Sequence, residues 1–384
     1  MAKDDQSLYA YPFSQSIRKT CKKFQPANSR KYYCILLSTM MTMMYMFMFP
    51  NKISLDMRMS RTSIGMNILK NSTLSVPDDV DFGTNPMCEA VISKEERECH
   101  EIPTEPSPRT IYSCWNQNQF VNWYAMHDRY VSEAKSFDLR KENDKKPVLM
   151  LIGDSITESW LGTVYGIETE RSKSRQGGIA FRYFQSLLGD KYETVVNAIA
   201  GDQVQHVMWR LQNGELSQSV SLDKQAIFVV LIGTNNLGNG HLPFPTAEGI
   251  LELTKELLIQ TKGKILLLKV LPRGDGFEIL PKLCPPRCAV DGNPLQSFLP
   301  SIKKVNDELQ SAMNTGNGTI QLAYLSRRLI LVDCGESYMA SGDGKMSEVN
   351  ATLMPDLLHP YELGLKLMAN CITDEIKGLF LTGE

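Results

Sequence analysis

The chain has 384 residues, of which 42% are apolar and 22% are charged, and its formal net charge is -2. This length suffices for one large domain or two ordinary domains with a real core. The near-neutral charge and the lack of a basic stripe with interleaved aromatic residues exclude a nucleic-acid partner. The nine cysteines are too few for a disulfide scaffold.

The first predicted element is a membrane-spanning helix over residues 32–49. These 18 residues carry no charge, and Pro50 follows them. At about 1.5 Å per residue they extend roughly 27 Å, which is close to the thickness of a hydrocarbon core. The alternatives are a cleaved signal peptide and a buried soluble helix. The length of the run and the lack of an Ala-x-Ala cleavage site favour the anchor.

The flanks of this run predict its orientation. Residues 1–31 form a basic tail with seven Lys or Arg, against four in residues 51–70, which follow the run and Pro50. The positive-inside rule therefore predicts a cytosolic tail and a type II protein, with its catalytic domain in the ER or Golgi lumen or outside the cell. Three N-glycosylation sequons lie beyond the run, at Asn71, Asn317 and Asn350, as this orientation requires.

The cysteines agree with an oxidising compartment. Seven of the nine lie beyond the predicted span, so at least one stays free or pairs with another chain. Cys284 and Cys288 flank Pro-Pro-Arg in a proline-rich segment. A local disulfide is favoured there over a metal site, because neither a His nor a second Cys pair accompanies them.

Residues 50–119 show no sustained hydrophobic period and contain several prolines. We predict a stem there and assign residues 120–384 to the catalytic domain.

Apolar strands alternate with amphipathic helices along the catalytic domain, which predicts an α/β fold with a parallel sheet. Right-handed crossovers make such a sheet doubly wound, with helices on both faces. The predicted strands are 147–152, 193–198, 226–232, 264–270 and 329–333. The predicted helices lie near 115–135, 177–188, 203–212, 246–261, 298–313 and 361–377.

Candidate site residues follow three of these strands, and two more precede the last helix. Ser155, Gly201 and Asn235 follow the first, second and third strands, and Asp356 and His359 come just before the last helix. The carboxyl ends of parallel strands share one edge of the sheet, where open α/β sheets carry their sites. We therefore predict that these residues converge.

Each of these residue types fits a role in nucleophilic catalysis. His359 would take the proton of Ser155 as general base, and Asp356 would orient the imidazole. The N–H groups of Ser155 and Gly201 and the Asn235 amide would donate to an oxyanion. The alternatives are structural: a helix-capping serine, a loop histidine and a turn asparagine. We predict packing roles for His206 and Asn236 and assign none to the remaining histidines.

In this order, Gly-Asp-Ser155-Ile, Gly201, Gly233-Thr-Asn235 and Asp356-Leu-Leu-His359 resemble the four blocks of the SGNH (GDSL-type) hydrolases. Four segments resemble more closely the catalytic subunits of type I platelet-activating factor acetylhydrolase. They are Trp123 to Lys135, Gly201 to Leu216, Val230 to Asn236 and Leu271 to Gly274.

The resemblance implies a flavodoxin-like, three-layer α/β/α fold with a five-stranded parallel sheet. It also implies hydrolysis of short acyl esters with neither metal nor cofactor. By position, Ile156, Thr234 and Leu358 would line the small acyl pocket. That branch is cytosolic and lacks the anchor, stem and sequons predicted here. The loop Trp160–Gly178 and the apparent insertion Gly274–Pro300 could rim the site.

Three functions follow as hypotheses. The first is a membrane-anchored serine esterase that releases acetyl or another short acyl group from a lipid or an acetylated glycan. The second is O-acyl transfer to a glycan in the secretory pathway, through the same acyl-serine intermediate. The third is a non-catalytic binding module on the same fold, which the complete set of candidate residues disfavours. The sequence leaves a homodimer open.

Overall fold

The structure, a computed structural model, describes residues 101–109, 117–140, 146–284, 287–315, 318–340 and 348–381. All of them belong to one compact unit, residues 75–384. The predicted basic tail, the predicted membrane helix at 32–49 and most of the predicted stem lie outside the described residues. Among the helices that are described, none is both long enough and apolar enough to cross a membrane.

Five parallel strands form the sheet in the order β2-β1-β3-β4-β5. This is the strand order of flavodoxin-like sheets, so the predicted parallel architecture is confirmed. The strand bounds differ from the predicted ones by at most two residues at either end. The strands are β1 (Val148–Gly153), β2 (Glu193–Ala198), β3 (Ile227–Leu231), β4 (Lys264–Leu268) and β5 (Leu329–Val332).

Helices follow or precede each strand. In the described residues they are α1 (Gln117–Asp138), α2 (Ser155–Glu158), α3 (Glu170–Ser174), α4 (Gly177–Leu188), α5 (Val204–Arg210), α6 (Gln218–Leu222), α7 (Thr234–Gly238), α8 (Pro243–Gln260), α9 (Leu280–Leu283), α10 (Leu299–Thr315), α11 (Thr319–Leu325) and α12 (Glu362–Leu381). The helix predicted to run to residue 212 ends at Arg210 and continues as a π-helical turn, Leu211–Glu215. Gly214 closes that turn with a φ of 104°.

The sheet is buried on both faces. In β1, Met150 and Ile152 pack on one face in the core formed with α5, α8 and α10. Leu149 and Leu151 point to the opposite face, in the core formed with α4 and α12. This alternation follows from the period of two along a strand. The result is a three-layer α/β/α sandwich.

Residues 101–109 belong to the predicted stem, whose boundary at residue 119 stays a prediction. Glu101 and Arg109 are only 7% and 4% exposed, although both carry charged side chains. The N–H of Ser107 donates to the carbonyl of Gln205 at 3.2 Å. This segment therefore packs on the catalytic domain, where charged groups become buried because they find partners.

Two disulfides join described cysteines. Cys284 bonds to Cys288, as the sequence predicted. Cys334, just after β5, bonds to Cys371 in α12; a separation of 37 residues gave no local signal for this pair. The segment Gly274–Pro300 also contributes to the core, because several of its apolar side chains are buried. They are Leu280, Leu295 and Phe298.

Candidate active site

Ser155 lies at the carboxyl end of β1, beside the point between β1 and β3 where the strand order reverses. Asp154 caps α2, and its Oδ1 accepts the N–H of Ile156 at 2.9 Å. The cap places Ser155 at the first position of the helix, partly exposed at the edge of the sheet. A serine there presents its hydroxyl to solvent, and its N–H has no acceptor within the helix.

His359 and Asp356 complete a hydrogen-bonded chain with this serine. Ser155 Oγ lies 2.9 Å from His359 Nε2. His359 Nδ1 lies 2.9 Å from Asp356 Oδ2, while Oδ1 of the same carboxylate accepts the His359 N–H at 2.7 Å. The predicted nucleophile, base and orienting acid are therefore in contact in the order that proton transfer requires.

Two arginines that the sequence analysis did not identify bind the same carboxylate. Arg171 donates to Asp356 Oδ2 at 2.9 Å, and the Arg175 guanidinium lies 3.5 Å from it. Arg175 is buried, whereas the Arg171 side chain is 62% exposed. Both lie in the loop predicted to rim the site, which is partly helical because Thr169 caps α3. In the sequence, the only indication of this role is that both residues are charged and lie in that loop.

The electrostatics favour an ionised Asp356 and a neutral His359. Burial opposes ionisation of Asp356, but hydrogen bonds from His359 and Arg171 outweigh it and hold its pKa far below the usual range. Burial lowers the pKa of His359, and the charges of Arg175 and Arg171 lower it further, against the opposing pull of Asp356. A neutral imidazole is the form that can accept the Ser155 proton.

The predicted oxyanion donors lie at the same edge. Gly201 follows β2 with a φ of 77°, a conformation that favours glycine. Among the described residues, none accepts a hydrogen bond from the Gly201 N–H. The Asn235 amide, at the start of α7, donates to the carbonyl of Asp202 at 2.9 Å. That hydrogen bond fixes the Asn235 amide near Gly201. The second N–H of the amide remains to donate to an oxyanion.

The three predicted pocket residues differ in accessibility. Ile156 and Thr234 are 2% and 4% exposed, and Ile156 packs within the core beneath the sheet. Leu358 is half-buried. Of the three, Leu358 is therefore the most accessible side chain.

Glu158 was also missed by the sequence analysis. It is fully buried and accepts four hydrogen bonds, from Thr163 Oγ1 and from the N–H groups of Tyr165, Gly166 and Ala200. Its position three residues after the serine is the only sequence signal. The carboxylate links α2 to the loop after β2, so it fixes the position of Ser155 relative to Gly201.

Packing roles predicted for His206 and Asn236 agree with their contacts. His206 Nδ1 accepts the Gln203 N–H at 3.0 Å, and its Nε2 lies 2.8 Å from Glu101. Asn236 accepts the Val204 N–H at 3.0 Å. Both side chains are buried and anchor α5 and its loop.

The fold and the site together have the arrangement of a serine hydrolase: a nucleophile, a base and an acid at the carboxyl edge of a flavodoxin-like sheet. The model of the GDSL-like lipase/acylhydrolase family matches residues 151–366. That range begins in β1, ends in α12 and contains every candidate site residue. The chain belongs to this family of ester hydrolases.

Curated relatives agree with this membership. Platelet-activating factor acetylhydrolase IB subunit alpha2 of Gallus gallus is 32% identical over 158 residues, which are 40% of this chain and 53% of that protein. Subunit alpha1 of the human protein (Homo sapiens) is 31% identical over 155 residues, 40% of this chain and 52% of that one. The chain therefore spans about half the length of the curated relatives it matches.

Solved structures of the same kind are more distant. A lipase/acylhydrolase from Enterococcus faecalis has a TM-score of 0.38 and 16% identity, covering 60% of this chain and 96% of that one. The esterase EstA from Pseudoalteromonas has a TM-score of 0.37 and 14% identity, covering 62% of this chain and 100% of its own. Likeness at this level carries no argument about substrate.

Proposed function

We propose that this protein is a serine esterase that hydrolyses short-chain acyl esters, acetyl esters in particular, through an acyl-Ser155 intermediate. The contact chain from Ser155 through His359 to Asp356 is the observation that carries the proposal. Family membership supports it. The printed names of the curated relatives, which are acetylhydrolase subunits, favour an acetyl group.

The site supplies each step of this reaction. Ser155 Oγ attacks the ester carbonyl as His359 Nε2 takes its proton, and the N–H groups of Ser155 and Gly201 and the Asn235 amide stabilise the oxyanion. His359 then returns the proton to the leaving alcohol, and the acyl group stays on Ser155. Water, deprotonated by His359, releases the carboxylic acid and restores the serine. We propose a lipid ester or an acetylated glycan as the substrate.

The activity test uses the full chain in detergent micelles with p-nitrophenyl acetate and a fluorophosphonate probe. The wild type should hydrolyse the ester and become labelled at Ser155. Ser155→Ala should lose both, and His359→Gln should retain a small residual rate. Equal hydrolysis by the wild type and Ser155→Ala would exclude the proposal. Turnover that depends on an added glycan acceptor would instead indicate O-acyl transfer.

We also propose that residues 32–49 anchor the protein in the membrane, with the catalytic domain in the lumen of the secretory pathway or outside the cell. The uncharged run and its basic flank support this orientation. The disulfides Cys284–Cys288 and Cys334–Cys371 also support it, because disulfides persist in oxidising compartments.

A further inference from the structure

We propose that Arg109, from the segment that precedes α1, is a positioning residue for the oxyanion hole. It holds the peptide group whose N–H is the Gly201 donor. This inference rests on the proposed esterase function and adds to it a residue outside the range that the family model matches.

The first observation is a contact between distant parts of the chain. Arg109 Nη1 donates to the carbonyl oxygen of Ala200 at 2.9 Å. The same nitrogen donates to the Tyr165 hydroxyl at 2.9 Å. Arg109 is only 4% exposed, so the guanidinium is held in one place between these partners rather than lying on the surface.

The second observation is the geometry of the peptide bond. The Ala200 carbonyl and the Gly201 N–H belong to one planar trans unit, so they point in opposite directions. A donor on the carbonyl therefore sets the direction of the N–H. The guanidinium charge also polarises the unit and makes its N–H a stronger donor.

The third observation is the space around Gly201. A Cβ placed on this residue would lie 2.8 Å from Arg109 Nη1 and 3.0 Å from the Tyr165 hydroxyl. The guanidinium therefore packs directly against the glycine on the side away from its N–H. Glycine is needed here both for its φ and for this contact.

The fourth observation is that the neighbouring bonds leave this carbonyl to Arg109. Glu158 accepts the Ala200 N–H at 2.7 Å, which fixes the preceding peptide unit. Asn235 donates to the Asp202 carbonyl at 2.9 Å, which fixes a later one. The unit between Ala200 and Gly201 is the one that Arg109 holds.

The test compares Arg109→Met and Arg109→Lys with the wild type, all as full chains in detergent micelles. Fluorophosphonate labelling counts the competent Ser155 in each sample. Arg109→Met keeps the side-chain length but loses the charge and the donors, and kcat per labelled site should fall about 10- to 100-fold, with KM within threefold. Arg109→Lys keeps one charged donor and should lie in between.

A second readout separates positioning from folding. A trifluoromethyl ketone that adds to Ser155 forms an oxyanion, so its inhibition constant should rise by the same factor as kcat falls. Arg140→Met is the matched control. Arg140 pairs with Glu193 at the opposite end of β2, so its loss should lower Tm and leave kcat per labelled site unchanged.

Each outcome decides the matter. An Arg109→Met protein whose kcat per labelled site is within twofold of the wild type overturns the inference. If that variant fails to fold, an Arg109→Lys protein with unchanged kcat and inhibition constant overturns it equally, and a fall of fivefold or more in kcat supports it. A wild type that neither hydrolyses the ester nor labels at Ser155 overturns the esterase proposal instead, and with it this inference.

Discussion

At the scale of single residues, the charges around His359 determine the pH at which the site can work. The base must be neutral, and burial together with Arg175 and Arg171 lowers its pKa. Asp356 raises the pKa of His359, but the two arginines pair with the same carboxylate and partly neutralise its charge. The cations thus keep the imidazole neutral, and able to act as a base, at a lower pH than for an ordinary histidine.

Arg171→Gln should move the acidic limb of the kcat/KM profile to higher pH. Removing a positive charge raises the pKa of His359, so the imidazole becomes protonated, and inactive as a base, at a higher pH than in the wild type. The shift should be smaller than one pH unit, because Arg171 is 62% exposed and solvent screens it. The profile is measured with p-nitrophenyl acetate between pH 4 and 8.

Arg171→Lys is the control for this shift, since it keeps the charge and should leave the limb near its wild-type position. High salt should also reduce the difference between Arg171→Gln and the wild type. A limb that moves to lower pH in Arg171→Gln would contradict the assignment of His359 as the base.

Gly201→Ala should lower kcat at least a hundredfold with a small change in KM. The methyl group would meet the Arg109 guanidinium at 2.8 Å and would sit on a backbone with a φ of 77°. The peptide must rotate, and its N–H would then leave the oxyanion. Steady-state kinetics measure the loss, and Gly189→Ala, which meets no atom within 4 Å, is a control for alanine at a positive φ.

At the scale of elements, the loops at the carboxyl edge are held by buried polar groups rather than by regular structure. Glu158 is the clearest case. Its carboxylate accepts hydrogen bonds from the loop that follows α2 and from the loop that follows β2. A buried carboxylate is stable only when its oxygens are satisfied in this way.

Glu158→Gln should therefore lower the free energy of unfolding by about 3 kcal/mol. The glutamine NH2 group would face backbone N–H donors that the carboxylate oxygen accepted, so those donors would lose their acceptor. Urea denaturation followed by circular dichroism measures it. Glu133→Gln, which breaks an exposed pair with Arg129, should change stability by less than about 1 kcal/mol. Equal effects of the two substitutions would contradict the role given to Glu158.

The disulfides differ in the length of chain that they close. Cys334 and Cys371 are 37 residues apart, whereas Cys284 and Cys288 are 4 apart. Loop-closure entropy predicts about 4 kcal/mol of stabilisation for the first bond and about 2 kcal/mol for the second. The long loop contains the segment with Asp356 and His359, so its bond also ties that segment to α12.

Cys334→Ser with Cys371→Ser should accordingly lower Tm more than Cys284→Ser with Cys288→Ser. Differential scanning fluorimetry of both double variants measures this. Dithiothreitol should bring the wild type to the lower of the two values or below. A larger loss from the Cys284–Cys288 pair would contradict the ranking.

At the scale of the whole molecule, the proposed topology places every sequon in a glycosylating compartment. Asn350 lies in the described part of the chain, in a turn where its Oδ1 accepts the Thr352 N–H at 2.9 Å. Thr352, the third residue of the sequon, is exposed.

The full chain expressed in eukaryotic cells should therefore lose mass when a peptide-N-glycosidase removes its glycans. Asn350→Gln should show a smaller loss, because one site is gone. The protein should stay in the membrane pellet after carbonate extraction, and its catalytic domain should resist protease in sealed microsomes. A chain that carries no glycan and appears in the soluble fraction would contradict the anchored, lumenal arrangement.

The sequence alone determined the architecture and the identity of the candidate nucleophile, base and acid. Apolar runs at strand length, separated by amphipathic helices, specify a parallel sheet because both of its faces must be buried. Ser155, Gly201 and Asn235 each follow a strand, so the sheet necessarily brings them to one edge. The strand pattern and the residues that follow each strand are local features of the chain, so the sequence alone could predict them.

Only the tertiary structure decided what supports those residues. Each of the supporting residues contacts a residue that is distant in sequence. Ala200 lies 91 residues from Arg109 and 42 from Glu158, and Asp356 lies 181 residues from Arg175. No periodic pattern in the sequence records such contacts. A buried charged side chain looks like any surface charge in a sequence, since its burial depends on a partner supplied by another element. The same reason hid the Cys334–Cys371 bond and the packing of residues 101–109 on the domain.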